Sequence, residues 1–352
     1  MRKMLFIDIR YQDFFSRNKS NATGKPRIDA QKISEIVGFE PHIIKAYERK
    51  SNGLIDRVLY YTSTLLVFIK LCTFLRFSNK VFLFQLPCPS NVLYTIFGAL
   101  KKRNNKIIIL IHDVSSLRFN TAYQREDDAL KQADVIIVHS KDMELSLKSM
   151  GVNCKFVDMK FFDYLTDYNG FENDCKEIQV VYAGNLAKSP FLNELDNVDD
   201  LDKYSYHLYG VGAEHLNIAS LNVKYMGAFE SDHINGVKGT WGLVWDGDKT
   251  DTCSGNFGEY LKINAPFKFS LSLALGMPLI VWKESAMAKN VEALKLGICI
   301  EGLNDIYKTI RSLSEDDLSK IKNNVIEYSL RVRRGDMLKS ALNEALKDLE
   351  VI

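Results

Sequence analysis

The chain has 352 residues, is 46% hydrophobic and 26% charged, and sets 46 basic side chains against 44 acidic ones, a formal net charge of +2. That length exceeds one ordinary core and suits two domains of about 150–180 residues, and the composition excludes collagen, coiled coil and disorder. Near-balanced charge argues against a dedicated nucleic-acid binder, and six scattered cysteines (Cys72, Cys88, Cys154, Cys175, Cys253, Cys299) without a C-x-x-C pair fit small buried hydrophobes of a reducing, cytoplasmic setting.

The chain opens on a short basic-then-apolar run that stops at Asp8 and Arg10. This is too short for a signal-peptide core and is expected as a first buried strand. Strand-like runs lie at 4–8, 42–46, 81–85, 107–111, 135–138 and 155–158. Between them, apolar residues recur at three and four over 28–37, 55–77, 91–102, 127–132 and 141–150. Such alternation, with continuously apolar strands, predicts a parallel doubly wound sheet. The segment 58–74 is apolar but interrupted by Thr62-Ser63-Thr64 and Lys70. It falls short of the roughly 20 residues a membrane span needs, so a helix packed between sheet layers is expected, with a helix on a bilayer surface as the second reading.

From 161 to 176 the pattern lapses into Asp, Asn, Tyr and Gly, as an interdomain linker would. A second set of strands is predicted at 178–183, 205–209, 223–226, 242–245, 278–282 and 298–300, with helices at 267–275, 287–296 and 305–313. From 315 onward two helical segments break near Arg334-Gly335-Asp336. The expected division is 1–165, 166–330 and a final segment, 331–352, crossing back to the first domain. Two such domains facing each other make a cleft, because open parallel sheets bind ligands beyond the carboxyl ends of their strands.

The second half carries the most informative chemistry. Asn264 can cap and Pro266 suits a first helical turn, so a helix begins in a loop holding Lys262 and Lys268. Free backbone amides, the positive dipole end and two lysines make an anion site suited to a diphosphate; the alternative is solvated lysines on a helix that merely packs. Gly184 and Asn185 form a tight turn after the first strand of this half, and Lys188 and Ser189 follow within reach of the same anion. Ser254 and Gly255 sit in a small-residue loop with backbone donors, and Tyr225 ends a strand where it can stack on a base or simply fill core. Neither G-x-S-x-G, H-E-x-x-H nor a P-loop occurs, so hydrolase, zincin and P-loop chemistry lapse. The acidic run around Glu194 and Asp196 and the cluster Arg331, Arg333 and Arg334 read as solvated surface, the arginines with lipid phosphate as an alternative.

GNLAKSPFL at 184–192, GLVWDGD at 242–248, SGNFGEYLKINAPFK at 254–268 and SLALGMPLIVW at 272–282 resemble a family of bacterial two-domain glycosyltransferases. That family includes galactofuranosyltransferases of O-antigen polysaccharide biosynthesis and the glucosyltransferase that extends glycans on streptococcal adhesins. IIILIHDVSSLRF at 107–119 and ATGKPRIDAQKISEIVGF at 22–39 resemble its first half. The resemblance implies the α/β GT-B fold, two Rossmann-like doubly wound domains facing a central cleft. It also implies a UDP-sugar held by the second domain and a glycan acceptor held by the first.

Carried over, Lys188 takes the place of a basic residue meeting the diphosphate, Lys268 that of the phosphate lysine, and Tyr225 that of an aromatic near the base. Where the adhesin enzyme has Arg, this chain has Lys188, so bidentate contact is lost. Thr23, Gly24 and Lys25 match the loop approaching the donor sugar, and the GKPRID form is nearer the galactofuranosyl members, favouring galactofuranose over glucose.

Lysines and a helix start can stabilise the departing diphosphate without a metal, so no cofactor is expected and Asp246-Gly247-Asp248 reads as a polar strand-end loop, with the D-x-D metal motif of the other glycosyltransferase fold as the alternative. His112 and Asp113 end a strand of the first domain and are the candidate catalytic pair, against a purely loop-ordering role. A lipid-linked acceptor, peripheral contact with the inner face of the membrane and a homo-oligomer stay open. A nucleotide-sugar epimerase of the same architecture and a non-catalytic partner subunit are the rival readings.

Overall fold

The computed structural model describes residues 2–11, 24–168, 170 and 177–351. Among the described residues, twelve strands form two six-stranded sheets, each parallel throughout. The first contains β1 (Met4–Tyr11), β2 (Glu40–Ala46), β3 (Val81–Leu86), β4 (Lys106–Ile111), β5 (Val135–Val138) and β6 (Lys155–Asp158), in the order β2-β1-β3-β4-β5-β6. The second contains β7 (Gln179–Ala183), β8 (Ser205–Tyr209), β9 (Val223–Gly227), β10 (Trp241–Val244), β11 (Leu279–Trp282) and β12 (Gly297–Ile300), in the order β12-β11-β10-β7-β8-β9. Strand order reverses at β1/β3 and at β7/β10, the points where doubly wound sheets open a crevice. Helices cover both faces, so the central strands are apolar on both sides: Phe82, Phe84, Ile107, Ile108 and Ile109 are all fully buried.

β1 runs to Tyr11 instead of stopping at Asp8. Its two buried charges are tolerated because they answer each other: Arg10 donates to Asp8 (2.7 Å), and Arg27 donates to the other Asp8 oxygen.

One expectation is corrected. The Leu54–Thr73 helix is not packed between layers; Val67 and Leu71 are its buried residues, and Leu54 and Ile55 are 77% and 78% exposed. The described part of the segment expected as the interdomain linker is packed, with Phe161, Phe162 and Tyr164 buried. The aromatic residues in that polar stretch fill the gap between the domains, Phe161 lying 5.0 Å from Phe269 and Tyr164 stacking 4.9 Å from Phe267.

The chain then returns. The helix Glu315–Arg334 packs on the second domain, where Ser329 donates to the Ala274 carbonyl (3.1 Å). Gly335, at φ +79°, turns it into the helix Asp336–Asp348, whose Leu338, Ala341, Leu342 and Ala345 join Met4, Phe6 and Ile33 of the first domain in one apolar cluster. Asp163 accepts hydrogen bonds from Met337 N (3.1 Å) and Leu338 N (2.8 Å), capping this last helix from outside its own sequence.

Asp163→Ala leaves two buried amides unpaired and is expected to lower unfolding free energy by about 1–3 kcal/mol in a urea titration, with the last helix losing amide protection first.

Candidate functional site

A cleft of about 480 Å³ opens between the domains, where the chain leaves β3 and β4 on one side and β7, β8 and β10 on the other. On the second domain its wall is two glycine turns pressed together. A side chain at Gly210 (φ +136°) would meet the Gly184 carbonyl, and one at Gly212 (φ +91°) would meet the Ala187 backbone. Leu186 N bonds the Val211 carbonyl (2.9 Å), locking the turns together. This GVG turn, which sequence reasoning passed over, is what sets the position of Asn185 and Lys188. Lys188 is exposed on the cleft wall, and its ammonium has no partner among the described residues.

The helix Phe267–Ala274 begins at the cleft with Pro266 as its cap and no side-chain capping bond, so its first amides face the cavity. Asn264 does not cap it. Its carboxamide lies 3.2 Å from His139 Nδ1 of the first domain. Lys268 lines the cleft but gives all three donors to protein: the Tyr182 hydroxyl (3.0 Å), the Trp245 carbonyl (2.8 Å) and Asp246 (2.7 Å). Burial works to lower its pKa, and Asp246 with Tyr182 overrides that, leaving the ammonium raised above an ordinary lysine. Lys262 is outside the cleft, paired with Glu259 at 2.9 Å.

On the first domain, His112 Nε2 lies 2.6 Å from Gln85 Oε1, and the Gln85 amide nitrogen faces the Arg27 carbonyl (3.4 Å). An amide oxygen only accepts, so the proton sits on Nε2 and Nδ1 is a lone-pair acceptor. Burial, then Arg27 and His139, holds the ring well below the ordinary histidine pKa, and the ring stacks on Phe162 at 5.3 Å. Asp113 accepts from Arg118 (2.6 Å), and Arg118 lies over Phe257 of the opposite domain at 5.3 Å. Four buried polar atoms of cleft-lining residues have no partner among the described residues: His112 Nδ1, Asn185 Oδ1, Arg27 Nε and Arg118 Nε. Unpaired buried polar atoms cost about 1–3 kcal/mol each, and their gathering here marks a site built for a polar ligand.

Other expected residues fall elsewhere. Thr23 lies outside the described residues. Gly24 caps the helix Lys25–Val37, and Lys25 is buried with its ammonium on Asp29 (3.1 Å), the Leu165 carbonyl (2.7 Å) and Asp232 (2.9 Å), an interdomain strut that leaves nothing for a sugar phosphate. Arg27, two residues on, lines the cleft instead. Tyr225 is half-exposed on the edge strand β9, outside the cleft, its hydroxyl donating to the Gly210 carbonyl (3.1 Å). Phe229 is the aromatic from that edge which reaches the cavity. Ser254 and Gly255 start the short helix Gly255–Tyr260 and do not line the cleft, whereas its Phe257 and Tyr260 do. Asp248 is exposed, and among the described residues no three His, Cys, Asp or Glu converge.

Two doubly wound domains meeting carboxyl edge to carboxyl edge across such a cleft define the GT-B class of glycosyltransferases. The trehalose 6-phosphate synthase of Burkholderia multivorans shares this fold with a TM-score of 0.58, at 9% identity over 99% of this chain and 97% of its own. The chain belongs to the glucosyltransferase 3-like family: the family's N-terminal domain matches residues 12–161 and its C-terminal domain residues 180–345. It is 31% identical to the β-1,6-galactofuranosyltransferase WbbI of Escherichia coli over 80% of this chain and 84% of that protein. It is 24% identical to glucosyltransferase 3 of Streptococcus parasanguinis over 76% and 79%. The protein is a glycosyltransferase.

Behind the cleft-lining Asn264, His139 is fully buried. The Ile111 carbonyl, 2.6 Å from His139 Nε2, fixes that ring's proton, and burial lowers the pKa from 6.5 to about 4. Between those values the unfolded chain binds the extra proton, so stability is full above about 6.5 and falls as pH drops toward 4. Relative to His139→Gln, wild type is expected to lose about 1 kcal/mol of unfolding free energy between pH 6 and pH 5, measured by chemical denaturation at both.

Proposed function

We propose that the protein transfers a hexose, galactofuranose first and glucose second, from a UDP-sugar on the second domain to a glycan acceptor on the first, in the cytoplasm. The observation that carries this is one cleft with a free lysine and an uncapped helix start on one wall and a neutral histidine with an unpartnered Nδ1 on the other. Greater identity to the galactofuranosyltransferase than to the glucosyltransferase supports the order of sugars. As the sugar–oxygen bond breaks, charge grows on the terminal phosphate of UDP, where Lys188 and the amides of Phe267 and Lys268 receive it. In an inverting transfer, His112 Nδ1 takes the acceptor hydroxyl's proton, with Gln85 holding the ring and the Asp113–Arg118 pair ordering the loop beside it. No divalent metal is required on this reading: Asp246, the inner carboxylate of the Asp-Gly-Asp loop, is already neutralised by Lys268.

The two lysines are expected to separate by assay. In calorimetric titration of UDP with EDTA present, Lys188→Ala weakens binding about tenfold or more, the loss of one charge-assisted bond, at unchanged melting temperature. Lys268→Met strands Asp246 and lowers the melting temperature. Absence of UDP binding to wild type under these conditions, restored by Mg²⁺ or Mn²⁺, removes the metal-free reading.

His112→Asn is expected to lower kcat by about 10²–10⁴ while UDP affinity holds. Because the buried base stays neutral, the acid limb of wild-type kcat/KM lies below the ordinary histidine value of 6.5. A limb at or above that value excludes His112 as the base.

A further inference from the structure

We propose that the outward face of the Leu54–Thr73 helix docks the protein, lying in plane, on an anionic lipid surface. The helix is inside out for a water-facing element. Its polar Asp56 and Ser63 turn toward the protein: Asp56 accepts from Lys50 N (2.8 Å), Ser51 N (2.6 Å) and the Tyr47 hydroxyl (2.6 Å), and Ser63 accepts from Tyr47 N (2.8 Å). Its apolar residues face out, with Val58, Leu65 and Ile69 each more than half exposed, and Leu59, Tyr61 and Leu66 beside them. Thr62, the polar residue among them, donates to the Val58 carbonyl (2.8 Å) and so asks nothing of solvent. No described residue covers this face.

Charge selects the occupant. Between residues 45 and 80 the exposed charged side chains are Lys45, Arg49, Lys50, Arg57, Lys70 and Arg76, against Glu48 alone. A second copy seated there by two-fold symmetry would gather these cations against each other, whereas anionic headgroups neutralise them while the apolar face enters the interface. Val67, Leu71 and Phe74 anchor the helix in the first domain's core, so it lies on a bilayer and does not cross it.

The helix connects β2 to the parallel β3, so it runs back from the carboxyl edge of the sheet, and its Leu54 end stands at the edge that carries the cleft. Docking therefore brings the acceptor side of the cleft to a membrane surface and deepens the reading above toward a lipid-linked acceptor. It rests on this helix and not on donor chemistry, so the two fail separately.

The test is flotation of the full chain with phosphatidylglycerol–phosphatidylcholine vesicles and with phosphatidylcholine alone, for wild type, Val58→Asn/Leu65→Asn/Ile69→Asn and Arg57→Glu/Lys70→Glu. Circular dichroism and UDP titration accompany each protein. The expected result is partition onto the anionic vesicles, about tenfold or more weaker for both variants and for neutral vesicles, with fold and UDP affinity unchanged. Wild type that stays at the bottom with anionic vesicles overturns the proposal. Flotation that the folded charge-reversed protein retains in full overturns it too. So does a wild-type dimer that the asparagine variant converts to monomer without any vesicle binding.

Discussion

The buried polar seam between the sheets is the constraint on which the site depends. A lysine in an apolar interior is tolerated only when its charge and its donors are both answered, and Lys25 is answered from three places: its own helix, the interdomain strap and the second domain. The interdomain contact beside the cleft repeats the device with neutral groups. Tyr260 accepts from Val114 N (2.9 Å), Ser140 donates to the Ile263 carbonyl (2.6 Å), and His139 meets Asn264. Separating the domains would strand every one of these groups, so they hold the spacing at which His112 and the Phe267–Ala274 helix start share one cavity. The apolar cluster through Phe161, Phe269 and the last helix supplies area, and the polar seam supplies register.

Within that frame the two walls do different work. The second domain offers fixed backbone geometry, because Gly184, Gly210 and Gly212 press together where no side chain fits. The first domain offers a tuned side chain: the chain from the Arg27 carbonyl through Gln85 to His112 sets which nitrogen carries the proton, and burial keeps the ring neutral. The unpaired atoms at the cleft are tolerated because the seam and the cores hold the surrounding fold in place.

The central strands were legible in the sequence because a buried parallel strand is apolar on both faces, as in β3, β4, β5 and β11, whereas the edge strands β6 and β9 are short, mixed in polarity and largely exposed. The cleft followed from the carboxyl-end rule, and His112, Asn185, Lys188 and Lys268 all line it. What the sequence hid was long-range pairing. Nothing local shows that Lys25 will meet Asp232, 207 positions away, or that Asn264 will face His139, 125 positions away. Arg27, Phe257 and Tyr260 lay inside quoted motifs and were passed over because their roles depend on which side of a helix faces the other domain. The helix after β2 misled for a different reason: an apolar residue reads the same whether a sheet layer, a lipid or nothing covers it, and only the inward Asp56 and Ser63 reveal which face is free.

The Lys268–Asp246 pair bears on how firmly the proposed site would hold its product. A cleft with two free lysines and a helix start would hold the departing nucleoside diphosphate as firmly as the donor, and binding that is equal before and after the transition state adds nothing to turnover. Placing one lysine's three donors on Asp246, Tyr182 and Trp245 leaves Lys188, at an exposed position on the turn after Gly184, as the cleft-lining lysine of the second domain without a partner among the described residues. Lys268 ties the end of β10 to the helix whose first amides face the cleft.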